Sequence, residues 1–157
     1  MGRPAASAFC LSRTMALLCL LLASAAAFGA EQRLEGLWKT IDDHSGLVRA
    51  IVRIQEVGGE YQGRLEKLFL QAGEEPNPRC EQCAGERHNK PVEGLLIVER
   101  MRLEGDDYSG GEILDPESSA IYCCRMQLAD DGRKLMVRGY LGISILGRTQ
   151  TWLRAEP

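Results

Sequence analysis

Two cysteines three positions apart, Cys80-Glu81-Gln82-Cys83, carry the most versatile chemistry in this chain. The spacing suits three uses. A zinc site needs two further ligands, usually a second C-x-x-C or a pair of histidines. Neither the adjacent Cys123-Cys124 nor His88 alone supplies that spacing, so no metal site is assigned. A thioredoxin-type redox pair sits at a helix N-terminus behind a central strand, whereas these cysteines lie in a polar, proline-containing stretch. The third use is a structural disulfide. Cys80–Cys83 would close a tiny loop, worth about 2 kcal/mol on loop entropy, and its closure needs no tertiary arrangement. A bridge from this pair to Cys124 would be worth about 4 kcal/mol. Cys80, Cys83 and Cys124 are the disulfide candidates, with the local pair the expected one. Cys123 and Cys124 are neighbours, so on a strand they point to opposite faces and only one of them can easily take part.

A second set lies near the C-terminus. Arg138 and Tyr140 are two apart, and so are Arg148 and Gln150. On strands, each pair shares a face. If those faces turn inward in a closed sheet, the guanidinium, phenol and amide groups could orient a polar or anionic ligand. The bland alternative is a solvated outer face. These four residues are the candidate ligand-binding set.

Catalytic signals are weak. Gly142-Ile143-Ser144-Ile145-Leu146-Gly147 is one residue too long for a G-x-S-x-G elbow, and no strand-to-helix turn follows. Asp42-Asp43-His44 resembles an acid–base cluster but precedes Ser45-Gly46 and reads as a turn. His44 and His88 are the only histidines, each in an expected loop. No nucleophile–base pair stands out. Hence no catalytic residue and no cofactor is assigned.

The elements that must position these residues are short strands. They are expected at 36–41, 47–56, 61–70, 92–103, 108–114, 120–128, 134–140 and 148–154. Val48, Ala50, Val52 and Ile54 alternate with more polar neighbours, the period-two mark of a half-buried strand. Gly58-Gly59, Asp115-Pro116 and Asp130-Asp131-Gly132 are turn signals. The stretch 71–90 is one long loop with room for a short helix or a lid. Eight strands joined mostly by short turns suggest an all-β, single, roughly eight-stranded antiparallel meander closing into a barrel. Such a barrel holds packed side chains or one small ligand.

Residues 1–27 have the order of a secretory signal peptide: Arg3 and Arg13, the apolar run from Met15 to Leu22, then small residues to Ala27. Cleavage is expected between 27 and 30, leaving one domain over 31–157. The apolar run is too short for a good membrane span, so no stable span is expected after cleavage. The chain has a net charge of −3. The leader contributes two arginines and no carboxylate, so the remainder is more acidic. No basic patch stands out, which argues against nucleic acid as a partner. Four cysteines in an exported chain again favour a disulfide.

Gly36-Leu37-Trp38 has the G-x-W form that lipocalin-like barrels place on their first strand. That resemblance implies a tryptophan plug at the barrel floor, with Arg148 or Arg154 of the last strand packed over it. Trp38 is thus the expected plug. Tyr61 to Leu68, Gly110-Gly111-Glu112-Ile113-Leu114-Asp115-Pro116, and Val137 to Trp152 extend the likeness. With these blocks the chain resembles the bacterial exported family called domain of unknown function 2147. The match runs from Leu34 to Arg154. The doubled Cys123-Cys124 departs from that family's pattern, in which one cysteine is usual. The resemblance implies a lipocalin-like β-barrel in the bacterial envelope, periplasmic or secreted, and implies no activity.

Together these readings favour a binding protein whose partner is a small amphipathic or apolar ligand or another envelope protein. The alternative is a structural or stress-related periplasmic interaction protein with a filled barrel and no ligand.

Overall fold

Alternation along the second strand sets the architecture. Ala50, Val52 and Ile54 are buried while Ile51 and Arg53 are not. A strand with one apolar face must bury it against others. In the computed structural model, which describes residues 33–143, 145 and 147–156, eight strands do this by closing on themselves. They are β1 Gly36–Ile41, β2 Val48–Val57, β3 Glu60–Leu68, β4 Leu96–Glu104, β5 Asp107–Leu114, β6 Ile121–Ala129, β7 Lys134–Tyr140 and β8 Arg148–Ala155. Each pairs antiparallel with the next, and β1 also pairs with β8, so the barrel has no open edge. The expected signal peptide and its cleavage site lie outside the described residues, as does Ser144. Among the described residues no helix is long and apolar enough to cross a membrane.

The meander topology sorts the connections between two ends. The hairpins at 58–59, 105–106 and 130–133 share the lower end with the start of β1. The connections at 42–47, 69–95, 115–120 and 141–147 share the upper end. Inside, Trp38, Ile54, Met101, Met126, Leu135 and Trp152 are fully buried and fill the lower and middle barrel. Packing there is tight enough to dictate glycine at 111. A Cβ on Gly111 would lie 2.2 Å from the Glu99 carbonyl oxygen and 2.5 Å from the Met101 sulfur.

Two boundaries differ from the sequence expectation by more than one residue. β3 ends at Leu68 rather than Leu70, and β4 begins at Leu96 rather than Val92. The stretch before β4 still bonds to β3, with Leu65 N–H donating to Leu95 O and Gly94 N–H to Leu65 O. Gly94 sits at φ +86°, which takes the chain off the regular ladder.

The long connection 69–95 contains a short 3₁₀ turn, Gly85–Arg87. At least part of it is a strap on the outer wall. Arg87 pairs with Glu99 and reaches Glu112 at 4.0 Å. Those two glutamates are register partners on β4 and β5, and they alternate with Val98 and Ile113 of the inner face. Upstream, Arg49 of β2 holds Glu74 at 2.8 Å and Glu117 at 3.4 Å, tying the strap to the β5–β6 turn.

Candidate functional site

The lower end is sealed by a stack of named groups. Trp38 Nε1 donates to the Leu34 carbonyl at 2.8 Å. The Arg154 guanidinium lies 4.2 Å from the Trp38 ring centroid. It also donates to Glu35 O at 3.0 Å, Arg33 O at 2.5 Å and Gly132 O at 2.6 Å. Of the two arginines considered for the plug, Arg154 fills the role and Arg148 does not. Sequence register explains the choice: Trp38 is directly opposite Arg154, whereas Arg148 lies near the other end of β8.

At the upper end the interior is reached by solvent. Register with the buried residues fixes which side chains face inward. Gln150 is paired with Val137, Arg148 with Gly139, and Tyr122 with Ile113, which is itself opposite the buried Val98. Gln150, Tyr122 and Ile113 are inward yet only half-buried, and Arg148 is exposed at the rim. An inward side chain that keeps water contact marks an open mouth. Apolar walls with a guanidinium and an amide at the rim suit an amphipathic molecule, whose polar group would remain near water.

The four candidate ligand residues therefore divide. Arg148 and Gln150 belong to the mouth. Arg138 and Tyr140 share the outer face with Thr149, because β7 buries Leu135 and Val137 instead. Arg138 donates to Thr149 Oγ1 at 2.8 Å and to Ile145 O at 3.1 Å, holding the base of the 141–147 loop. Arg148 Nε donates to Asp43 Oδ2 at 2.9 Å, and this carboxylate raises the guanidinium's pKa further. Gln150 Oε1 accepts from Trp152 Nε1 at 3.4 Å. Tyr122 and Asp43 complete the mouth but carry no ligand assignment from sequence. For Tyr122 the signal is there: it has the parity of Cys124 and Met126, both fully buried.

The neighbouring acid, Asp42, is a turn residue. Its Oδ1 accepts from Ser45 N, Ser45 Oγ and His44 N. The Ser45 backbone donor first, then its hydroxyl, lower the carboxyl's pKa.

Cys80 and Cys83 form a disulfide, the local pairing. Both are buried, and Cys80 Sγ lies 3.7 Å from Pro116 O and 3.6 Å from Ser119 Oγ. Cys124 is a free thiol buried on the inner face, while Cys123 is free and exposed on the outer one. Burial, and then the neighbouring Cys123, push the Cys124 thiol up to about 12. Among the described residues no three His, Cys, Asp or Glu side chains converge as a metal site.

Two cavities open on the outer wall: one of about 480 Å³ beside Leu37, Ile51 and Lys67, the other of about 210 Å³ beside Met136, Arg138 and Thr149.

Comparison with known proteins agrees with this geometry. Residues 36–154 match a family model described as an uncharacterized protein conserved in bacteria (DUF2147). Among curated proteins none matches. One similar solved structure is described as "Protein HP1028 from the human pathogen Helicobacter pylori belongs to the lipocalin family". It is 17% identical, with a TM-score of 0.66, and the alignment covers 79% of this chain and 84% of that one. Likeness at that identity concerns the fold.

Proposed function

The chain belongs to the bacterial DUF2147 family, and from that premise we propose that it is an exported envelope protein that binds a small amphipathic or apolar ligand in the open mouth of its barrel. One observation carries this reading: Gln150, Tyr122 and Ile113 face inward at the upper end and are still reached by solvent. The floor below them is closed by Trp38, Trp152 and Met126, so a ligand enters partway. Arg148 and Gln150 hold its polar group. The disulfide fits an oxidising compartment, which supports the exported reading.

A second reading is favoured by a different observation. Six large side chains fill the lower and middle barrel, and both cavities named above lie outside it. On that reading the barrel is a packed scaffold and acts through its surface.

Native mass spectrometry of protein purified after export separates the two. Extra mass that vanishes on denaturation supports the ligand reading. A bare mass transfers weight to the filled scaffold. The denatured mass also reports where the leader was removed.

A further inference from the structure

The barrel interior holds a cluster of sulfur. Cys124, Met101 and Met126 are all fully buried, and the Cys124 thiol is free. Among the described residues no polar or charged side chain is fully buried with them. Register brings these sulfurs together. Cys124 and Met126 are two apart on β6 and share its inner face. The strand partners of Cys124 are Gly111 on β5 and Gly139 on β7. No Cβ therefore presses on the thiol from either neighbouring strand. On the β5 side the room is taken by a thioether: Met101 Sδ lies 2.5 Å from where a Gly111 Cβ would be. On the β7 side, Tyr122 Cβ and Ile113 Cγ2 lie 3.4 and 3.6 Å from the corresponding position at Gly139. Tyr122 and Ile113 belong to the mouth, so the thiol sits one layer beneath the open end. Packing alone asks for branched hydrocarbon that fills such a layer. Here two glycines open it and polarisable sulfur lines it.

Thiolate and thioether are soft donors, and soft donors select soft metal ions. Charge then decides the valence. Cys124 is the one group of the cluster that can become an anion, and net charge in an apolar interior is costly. A monovalent cation on its thiolate is neutral overall. A zinc ion would leave a positive charge uncancelled and would want four ligands. The two thioethers add donors without adding charge.

We infer that Cys124 Sγ, with Met101 Sδ and Met126 Sδ, binds one soft monovalent metal ion of the copper(I) class inside the barrel. On binding, the Cys124 S–H bond breaks, its proton passes to solvent and a sulfur–metal bond forms. No electron is transferred, and the ion enters and stays monovalent. The unbranched methionine side chains close on the ion by rotation about their own bonds. An ion arriving through the mouth passes only Tyr122 and Ile113, and it is far smaller than a disulfide reagent. The site is separate from the rim groups Arg148 and Gln150.

The test uses silver(I), a redox-stable ion of the same softness, and copper(I) held by a competing chelator. Every protein is purified after export and carries Cys123→Ser, because an exposed thiol binds soft metal by itself. Native mass spectra should show one silver ion per chain, and chelator competition should give a copper(I) affinity. Cys124→Val should abolish both. Met101→Leu and Met126→Leu conserve volume. Each should weaken binding at least about tenfold, no less than the loss of an outer-shell partner costs a metal site. Met136→Leu should stay within about twofold, because that thioether lies on the outer wall beside Thr151. X-ray absorption of the copper(I) form should show sulfur ligands only. A Cys123→Ser chain that takes up neither ion overturns the site. So does either inner methionine variant that binds within about twofold of its parent, nitrogen or oxygen in the coordination shell, or zinc bound more tightly than copper(I). If Cys124→Val fails to fold, the two methionine variants still decide, since neither touches the thiol. A metal ion and an amphiphile add different masses to the same spectrum, so either reading can fail while the other stands.

Discussion

The Arg154 guanidinium covers the Trp38 ring at 4.2 Å, and Gly36 is the residue that makes room for it. A Cβ at Gly36 would lie 2.9 Å from Arg154 Nη1, and the backbone there is at φ +128°. The glycine and tryptophan of the G-x-W signature thus serve one structure, with the glycine clearing space for the arginine that seals the floor. Burial lowers the pKa of Arg154, yet the ring and three carbonyls favour its charged form.

Replacing Arg154 with Met should therefore cost about 2 kcal/mol, from lost cation–π contact and orphaned carbonyls. Gly36→Ala should cost a similar amount, about 1–3 kcal/mol, through strain. The double variant should cost less than the sum, because once the guanidinium is gone the alanine methyl meets less resistance. Urea midpoints of the four proteins check this. An additive double variant would show that the two residues act separately.

The strap makes a separate prediction. Arg87 lies between Glu99 and Glu112, which face each other across β4 and β5. Arg87→Ala leaves that glutamate pair with only the more exposed Arg100, which pairs with Glu112 at 2.7 Å. Like charges directly opposite on a sheet are unfavourable. The expected result is faster protease cleavage within 69–95 while the barrel's own unfolding free energy falls by no more than about 1 kcal/mol. Equal loss in both measurements would mean that the strap and barrel unfold together.

The mouth can be tested without knowing its ligand. Arg148→Ala removes a pair whose partners are both exposed, so stability should change by less than about 1 kcal/mol. Binding of the amphipathic dye 1-anilinonaphthalene-8-sulfonate should weaken about fivefold with the loss of this cation and of one charge-assisted contact to the sulfonate. Gln150→Leu should weaken it less, because its carbonyl oxygen is already engaged by Trp152. Arg138→Ala, on the outer face, should leave dye binding unchanged. Isothermal titration reads all three, and an Arg138→Ala effect equal to that of Arg148→Ala would place the dye on the outer wall.

Much of this architecture was legible because strands announce themselves by parity. Lys134–Tyr140 and Gly36–Ile41 have the expected bounds, and the inner face of β2 follows from alternation alone, whereas the direction of the Arg148 and Gln150 face of β8 was open until the register with β7 fixed it. Which way Arg138 and Tyr140 point was not legible. Both faces of β7 carry large side chains, and only its register with β8, Val137 opposite Gln150, decides the matter. The stretch 92–95 read as strand because Val92 and Leu95 are apolar, but they are buried through an irregular path. Likewise, nothing local shows that Arg87 will meet Glu99, because the strap and the wall meet only in the folded chain. The local Cys80–Cys83 bridge was legible because its closure depends on neighbours in sequence.

The two free thiols give a final prediction with a pH sign. Cys123 is exposed and should react with a disulfide reagent in the native protein, whereas buried Cys124 should react only as the barrel unfolds. Burial raises the Cys124 thiol from an ordinary 9.0 to about 12, so the folded state retains a proton that the unfolded chain releases. The resulting stability is fully present below the unfolded value and falls as pH climbs from about 9 towards 12. Cys124→Val removes this proton linkage and should flatten that part of the profile, although tyrosines and lysines will leave some slope. Tyr61, whose pKa is also raised mainly by burial, is among them. Urea midpoints at intervals between neutral and strongly alkaline pH, compared for the wild type and Cys124→Val, isolate the thiol's share. Parallel profiles for the two proteins would show that Cys124 does not control the alkaline limit, and early native-state reaction of both thiols would show that the inner face opens at β6.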